Sequence, residues 1–329
     1  MKISVVIPVY NAEKYLRCSV ESALAQPETE EVLLVEDCSR DDSLRVCRQL
    51  ADEYPAVRVL RHSPPRNLGA GASRNVGIKN ARCDYVAFLD ADDYFLPERF
   101  AKAARLFDST PEIDGVYETI GTHFECDETK KKWLAEGRAL VTGFREQVAP
   151  ECLFEAQGPV GTKGCASIDG WVVKKSVFAD TGYFDEELRL HQDAAMGLKL
   201  SALCRMAIGD IARPVAMRRV HTANRISAKR SPARQYADFQ HMWRVLWRWG
   251  SIRLDGDRRD LLLKRYMTSA SQPFLRVESV LVRISLLPLC QLIYILSRDF
   301  SLLGEERFRQ HIRRCTDNFR ACLGWTRPG

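Results

Sequence analysis

No two of the eleven cysteines in this 329-residue chain are spaced Cys-x-x-Cys, and none stands with histidine at zinc-binding spacing. That excludes a structural zinc knuckle, and an odd count with no framework reads as free thiols in a reducing compartment. The first residues, MKISVVIPVYNAEKYL, hold a short apolar run without a small-residue cleavage site, and polar residues follow at once. They read as a first strand, not a signal peptide. No unbroken apolar run approaches the ~20 residues that a membrane-crossing helix needs. The strongest candidate, between Arg283 and Arg298, has fourteen residues and contains Pro288. A packed hairpin or a helix lying in the membrane interface fits it better. The stretch GAGASR (69–74) has Arg74 where a dinucleotide fingerprint needs its third glycine, and it does not open the first βα unit. A Rossmann signature is excluded on both counts.

The chain is 46% hydrophobic and 28% charged, an ordinary globular composition able to bury the core of one large or two modest domains. Its net charge of +6 hides an asymmetry. Residues 1–203 carry 25 Lys and Arg against 33 Asp and Glu, whereas residues 204–329 carry 24 against 10. A basic C-terminal third suits an acidic partner, such as an anionic membrane surface, or is simply a solvated face. Nucleic acid is set aside, because no aromatic-stacking or helix-turn-helix pattern accompanies the charge.

Ile3–Val9 (ISVVIPV) and Val32–Val35 (VLLV) are the near-continuous apolar runs of strands buried on both faces of a parallel sheet. Val57–Leu60 and Tyr85–Leu89 read as a third and a fourth. Asn11 stands as the N-cap of a helix with Ala12, Tyr15, Leu16, Ser19, Val20, Ala23 and Leu24 in one stripe, ended by Pro27. Ser39 and Asp42 open a second helix with Leu44, Cys47, Leu50, Ala51 and Tyr54 inward. Gly71–Ala81 is a third, and Pro97 starts a fourth. Residues 110–165 are irregular. The run 182–203 ends in a helix with Ala194, Leu198, Ser201 and Ala202 on one side. This alternation predicts a doubly wound α/β domain over residues 1–225, with its chemistry at the carboxyl ends of the strands. Residues 226–329 are predicted to be a helical basic region, aromatic at 235–253 and strongly apolar at 277–300.

At one such carboxyl end, YVAFLDADDYFLP (85–97) sets Asp90, Asp92 and Asp93 together. A helix start explains Asp93 but not Asp90. Two carboxylates two residues apart at a strand tip can instead converge on a hard cation, Mg²⁺ or Mn²⁺, alongside a substrate's phosphates. Upstream, a glycine-rich loop with Arg74 suits phosphates, although Arg74 also reads as a surface ion pair. Asp37, at the tip of the second strand, can accept from a base N–H or cap a helix. Among the acids of 185–193, Asp193 beside Ala194 and Ala195 has the best pattern for a general base. His221 reads as structural or as a metal ligand.

Five segments resemble, in order, the motifs of the family 2 glycosyltransferases, inverting enzymes of the GT-A fold: SVVIPVYNAEKYL (4–16), VLLVEDCSRDDS (32–43), NLGAGASRNVG (67–77), YVAFLDADD (85–93) and GYFDEELRLHQDAAMGLKL (182–200). The resemblance covers residues 1–225. It implies that Pro8, Val9, Tyr10 and Glu13 line the base and ribose pocket of a nucleotide-sugar donor, with Asp37 accepting from a uracil ring. It implies that Gly71 and Arg74 face the diphosphate, that Asp90 and Ala91 lie at the ribose, and that Asp92 coordinates a divalent metal, Mn²⁺ or Mg²⁺. His221 would reach the metal or the diphosphate, and Asp193 would be the general base. Asp169, Trp171 and His191 are candidates for the acceptor side, with a packed core Trp as the alternative for Trp171.

Three positions depart from the family pattern: Glu36 stands for the usual Asp, Cys38 for Gly, and Gln192 for the Glu of a Glu-Asp pair. No QxxRW motif follows, so the resemblance is to enzymes that add one sugar rather than to processive synthases. The activity implied is transfer of one sugar, from a UDP-sugar for preference, to a hydroxyl of a glycan or lipid-linked glycan. The other reading is an inactive GT-A module that binds nucleotide or glycan. The C-terminal helices then either hold the chain peripherally at the cytoplasmic membrane face through Trp243, Trp247, Trp249 and nearby arginines, or pack on the catalytic domain or form a homodimer.

Overall fold

Seven buried residues in a row, Ile3–Val9, form β1, and it lies between parallel neighbours, as an unbroken apolar run requires. The computed structural model, which describes residues 1–222 and 231–271, is a mixed α/β fold. After β1 come α1 (Leu16–Leu24), β2 (Thr29–Glu36), α2 (Ser43–Glu53), β3 (Val57–Arg61), α3 (Ala70–Asn80) and β4 (Tyr85–Phe88). Next are β5 (Tyr94–Phe95), α4 (Ala101–Ser109), β6 (Gly115–Tyr117), β7 (Ile120–Phe124), α5 (Asp127–Ala135), β8 (Val141–Thr142) and α6 (Leu153–Ala156). Then follow β9 (Trp171–Lys174), α7 (Val177–Thr181), α8 (Gln192–Leu203), β10 (Met206–Ile208) and β11 (Ala216–Val220).

The central sheet has the order β10-β6-β9-β4-β1-β2-β3. Its half built from β4, β1, β2 and β3 is parallel, while β9 runs antiparallel to both β4 and β6. Residues of β1 alternate between two apolar layers. Ile3, Val5, Ile7 and Val9 join Leu16, Val20, Leu50 and Phe100 on one face. Val6 joins Ile78, Phe88, Trp171, Phe178 and Met196 on the other. Each such large side chain contributes roughly 1.5–3 kcal/mol on burial. Helix α3 sits directly on β1: a Cβ at Gly77 would lie 2.2 Å from Val6 Cγ1, so no larger residue fits there.

A second sheet, β5-β11-β7-β8, takes β7 and β8 from the stretch 110–165 that shows no clear pattern in sequence. Between the two sheets' residues runs a fully buried ion pair, Arg99 Nη1 to Glu118 Oε2 at 2.7 Å. The Arg99 guanidinium is flanked by the rings of Phe95 and Phe100 and donates to the Trp171 carbonyl at 3.3 Å. Removing either partner leaves an uncompensated buried charge, at a cost of about 3–5 kcal/mol.

Helix starts differ from expectation at three places, one being α4, which begins at Ala101 with Phe100 as its N-cap and not at Pro97. α1 begins at Leu16, not after Asn11, which adopts φ +51° and spends its side chain on Arg40 N–H. Ser39 accepts from Asn11 N–H, so it does not cap α2, which begins at Ser43.

The chain divides into two units, the second beginning at Ser231. Its described elements are α9 (Pro232–Arg253), with the Ser231 hydroxyl accepting from Arg234 N–H at its start, and α10 (Gly256–Ser271). α9 and α10 pack against each other. Trp243, Trp247 and Trp249 are buried, while Arg248 and Arg253 are exposed. The apolar run 277–300 lies outside the described residues, and among those described no helix is long and apolar enough to cross a membrane.

Candidate active site

The carboxyl ends of β1, β2, β3 and β4 open into four loops, and two of them are laced together. Ser39 Oγ accepts from Asn11 N–H, and Asn11 Oδ1 accepts from Arg40 N–H. Glu13 Oε2 accepts from Asp42 N–H at 2.7 Å, and Asp41 accepts from Glu13 N–H. Pro8 and Val9 are buried within β1, and Tyr10 is the first exposed residue beyond it, at 41%. Glu13 thus holds the loop that follows β2 as well as flanking any base pocket. Cys38 sits at φ +57°, a left-handed conformation that costs a non-glycine residue about 1–2 kcal/mol. This is a physical reason why glycine is usual there. Glu36 is buried and pairs with Arg61 at 2.9 Å.

Asp37 is 2% exposed, and both of its oxygens accept loop amides, Leu68 N–H at 2.7 Å and Gly69 N–H at 2.8 Å. His62 Nε2 lies 3.3 Å from the same carboxylate and 3.1 Å from Ser73 Oγ. Asp37 therefore ties the glycine-rich loop to β2, a role the sequence does not show. α3 starts at the end of that loop, and its Arg74 is 3% exposed. Arg74 Nη2 donates to Asp90 Oδ1 at 2.6 Å, whereas its Nε and Nη1 have no partner among the described residues. Arg74 is thus a buried cation and not a surface ion pair.

Asp90 and Asp93 are joined by an acid from elsewhere in the chain. Carboxylate oxygens of Asp90, Asp93 and Asp169 lie within 4.8 Å of one another. Asp169 is 1% exposed and accepts from Asp90 N–H at 2.9 Å. This corrects its assignment to the acceptor side: its carboxylate is buried beneath the strand tip. Trp171 is fully buried, its ring 6.4 Å from that of Phe88, in the packed core position read from sequence as its alternative. Ala91 is buried too. Asp93 accepts from Arg219 N–H at 2.7 Å and shares a hydrogen bond with Asp169. Burial, and then the charges of Asp169, Asp92 and Asp90, push the Asp93 carboxyl well above the usual range. Burial, then Asp90, pushes Asp169 up to about 7.

The native pair thus keeps protons that an unfolded chain releases above about pH 4. Stability contributed here is present at low pH and falls as pH rises from about 4 to about 7. Asp169→Asn removes the part of that fall that belongs to Asp169. Its stability relative to wild type should rise across this window by up to roughly 3–4 kcal/mol, the equivalent of the shift. Urea unfolding at both ends of the window measures it; a constant difference would show that the pair binds no extra proton.

Asp92 points elsewhere. Its Oδ2 lies 3.2 Å from His221 Nε2, and the His221 ring lies 4.6 Å from that of Tyr15. Arg219 holds the Asp92 carbonyl at 2.9 Å and stands over Tyr15 and Tyr94. Among the described residues one cluster of three carboxylates could hold a divalent cation, that of Asp90, Asp93 and Asp169. In the buried set, protons on Asp93 and Asp169 compete with metal. Asp92, whose side chain is 32% exposed, and His221 form a separate pair of one hard oxygen and one imidazole, ligand types that Mn²⁺ or Mg²⁺ accepts. The crowding that holds two acids neutral is also what added positive charge would relieve.

α8 brings the remaining candidates. His191, at φ +59°, is its N-cap, and Gln192 and Asp193 are its first residues. Asp193 is part-exposed and makes no hydrogen bond or ion pair among the described residues. Its charge reaches Cys165, as does that of Arg218. Arg218 donates to Thr142 Oγ1 and Ser167 Oγ and also acts on Asp169. Sequence reading missed Arg218 and Arg219. The dipeptide sits within the RRVH segment beside His221, and its place on β11 was the only available signal.

Residues 4–155 match the profile described as "Glycosyl transferase family 2". An uncharacterized glycosyltransferase of Haemophilus influenzae is 30% identical over 201 residues, 60% of this chain and 61% of that protein. The poly(ribitol-phosphate) beta-N-acetylglucosaminyltransferase TarS of Staphylococcus aureus is 30% identical over 205 residues, 60% of this chain and 32% of its own. The chain thus spans less than two thirds of the length of these relatives. A crystal structure of TarS residues 1–349 with UDP-GlcNAc aligns over 98% of this chain and 91% of its own, at TM-score 0.61 and 20% identity. The mannosyltransferase PcManGT from Pyrobaculum calidifontis, with GDP-Man and Mn²⁺, aligns over 98% and 86% at TM-score 0.53 and 14% identity. At those identities the likeness is one of fold. The likeness to glycosyl transferase family 2 is carried by residues 4–155, and the mainly parallel sheet shares its fold with TarS.

Proposed function

We propose that the chain is an inverting, single-addition glycosyltransferase that moves a hexose or N-acetylhexosamine from a UDP-sugar to a hydroxyl of a glycan or lipid-linked glycan. The observation that carries this is the pairing of complementary groups. Arg74, a buried guanidinium whose Nε and Nη1 have no partner among the described residues, lies at the strand ends, and Asp193 is a carboxylate with no hydrogen bond or ion pair among those residues at the start of α8. The first set suits a diphosphate and the second suits a reacting hydroxyl. TarS binding UDP-GlcNAc supports the choice of UDP.

The chemistry follows from these groups. An acceptor hydroxyl does not ionise near neutral pH, so Asp193 takes its proton as the oxygen attacks the anomeric carbon. Attack from the side opposite the leaving group inverts the configuration, through a transition state of oxocarbenium character. Arg74 and the amides at the start of α3 neutralise charge building on the diphosphate. A divalent cation held by Asp92, His221 and Asp90 would supply further positive charge against that leaving group. Arg219 fixes the backbone of Asp92, and Asp37 fixes the glycine-rich loop, so both surfaces stand ready before substrate arrives.

We place the protein in the cytoplasm, at the inner membrane face when its acceptor is lipid-linked. Contact with anionic lipid would rest on exposed arginines such as Arg248 and Arg253, because the three tryptophans of α9 are buried. A thermal-shift screen of UDP-, GDP- and dTDP-sugars with Mn²⁺, followed by donor consumption with and without EDTA, tests the function. A UDP-sugar should raise the melting point, and EDTA should stop its consumption. Donor binding with no transfer or hydrolysis across acceptors would instead support a binding module.

A further inference from the structure

A polar atom buried without a partner is costly unless a ligand comes to use it. Gln192, the first residue of α8, carries one. It is 8% exposed, and its Oε1 has no hydrogen-bond partner among the described residues. It fills the space that Gly71 leaves, since a Cβ at Gly71 would stand 3.1 Å from Oε1. One turn further along the same face of α3 is Arg74, whose Nε and Nη1 have no partner among the described residues. Phe184 borders both: its Cβ is 3.5 Å from the Gly71 Cβ position, and its ring is 5.5 Å from the Arg74 guanidinium. Asp193 follows Gln192 directly in the first turn of α8.

We propose that Gln192 Oε1 and a spare N–H of Arg74 form a subsite for one hydroxyl of the donor's sugar, which makes Gln192 a specificity-determining residue. The proposal rests on the nucleotide-sugar reading above. A hydroxyl is the group that fits, because it accepts from the guanidinium while donating to the amide oxygen. A carboxylate or phosphate satisfies Arg74 but sets lone pairs against Oε1, and a methylene leaves both groups unpaired.

The test is a cycle of Gln192→Leu against UDP-glucose, UDP-GlcNAc and their 3-, 4- and 6-deoxy analogues. Gln192→Leu should melt at or above the wild-type temperature, because it removes an unsatisfied buried acceptor. It should bind UDP alone within about twofold of wild type and lose about 10–100-fold in kcat/KM for the intact donor. One deoxy analogue should be equally poor with wild type and lose nothing more in the variant. Unchanged kcat/KM, or the same loss against every analogue, would overturn the subsite. A variant that melts early and loses UDP binding would make Gln192 structural. If the wild-type protein binds UDP but turns over none of these donors, the nucleotide-sugar reading fails and takes the subsite with it.

Discussion

Asp193→Asn is expected to bind the donor as wild type does and to transfer sugar about 10²–10⁴-fold more slowly, the span of general-base catalysis. The carboxylate makes no hydrogen bond or ion pair among the described residues, so its replacement breaks none. It lies in the first turn of α8, where an acid favours the helix by some 0.3–1 kcal/mol. The isosteric amide keeps the shape and loses only that small term, so the melting point should barely move. The decisive measurement is kcat beside the dissociation constant of the UDP-sugar. Near-wild-type turnover would show that another group removes the proton. Parallel loss of binding would move Asp193 from the acceptor side to the donor.

The second large effect belongs to Asp92→Ala. Its carboxylate is part-exposed and faces His221, while the backbone of the residue is held independently by Arg219. The fold should therefore survive. What should disappear is the response to metal: Mn²⁺ should no longer tighten donor binding, and kcat should fall on the order of 10²–10³-fold, as when one preorganised charge stabiliser is removed. His221→Ala should show the same loss of metal response in weaker form. Titration of donor with and without Mn²⁺ measures both. An Asp92→Ala protein that keeps the wild-type response would shift the metal to the buried set of Asp90, Asp93 and Asp169. There its binding should release protons near neutral pH.

Much of the site was legible because it sits where parallel strands end. ISVVIPV and VLLV announce buried parallel strands by lacking any polar alternation, and Asp37 and Asp90 follow such strands directly. The second sheet was not legible, because β5, β7 and β8 are two to five residues long and pair with partners remote in sequence. Periodicity has too few residues there to act on. Asn11 misled for a related reason. Its side chain suits a helix cap and a left-handed turn equally well, and only the neighbouring Arg40 amide decides between them.

The sequence by itself determined the layer order of the first half, the acids and the arginine at the strand ends, and the departures at Cys38 and Gln192. Those are properties of single residues or of local runs. Tertiary structure alone decided that Asp169 joins Asp90 and Asp93, that Asp37 braces a loop, and that Gln192 Oε1 stands against Gly71 with no partner among the described residues. Each depends on burial and on distances between segments far apart in the chain. A carboxylate's proton and an amide's partner are set by the groups that folding brings against it.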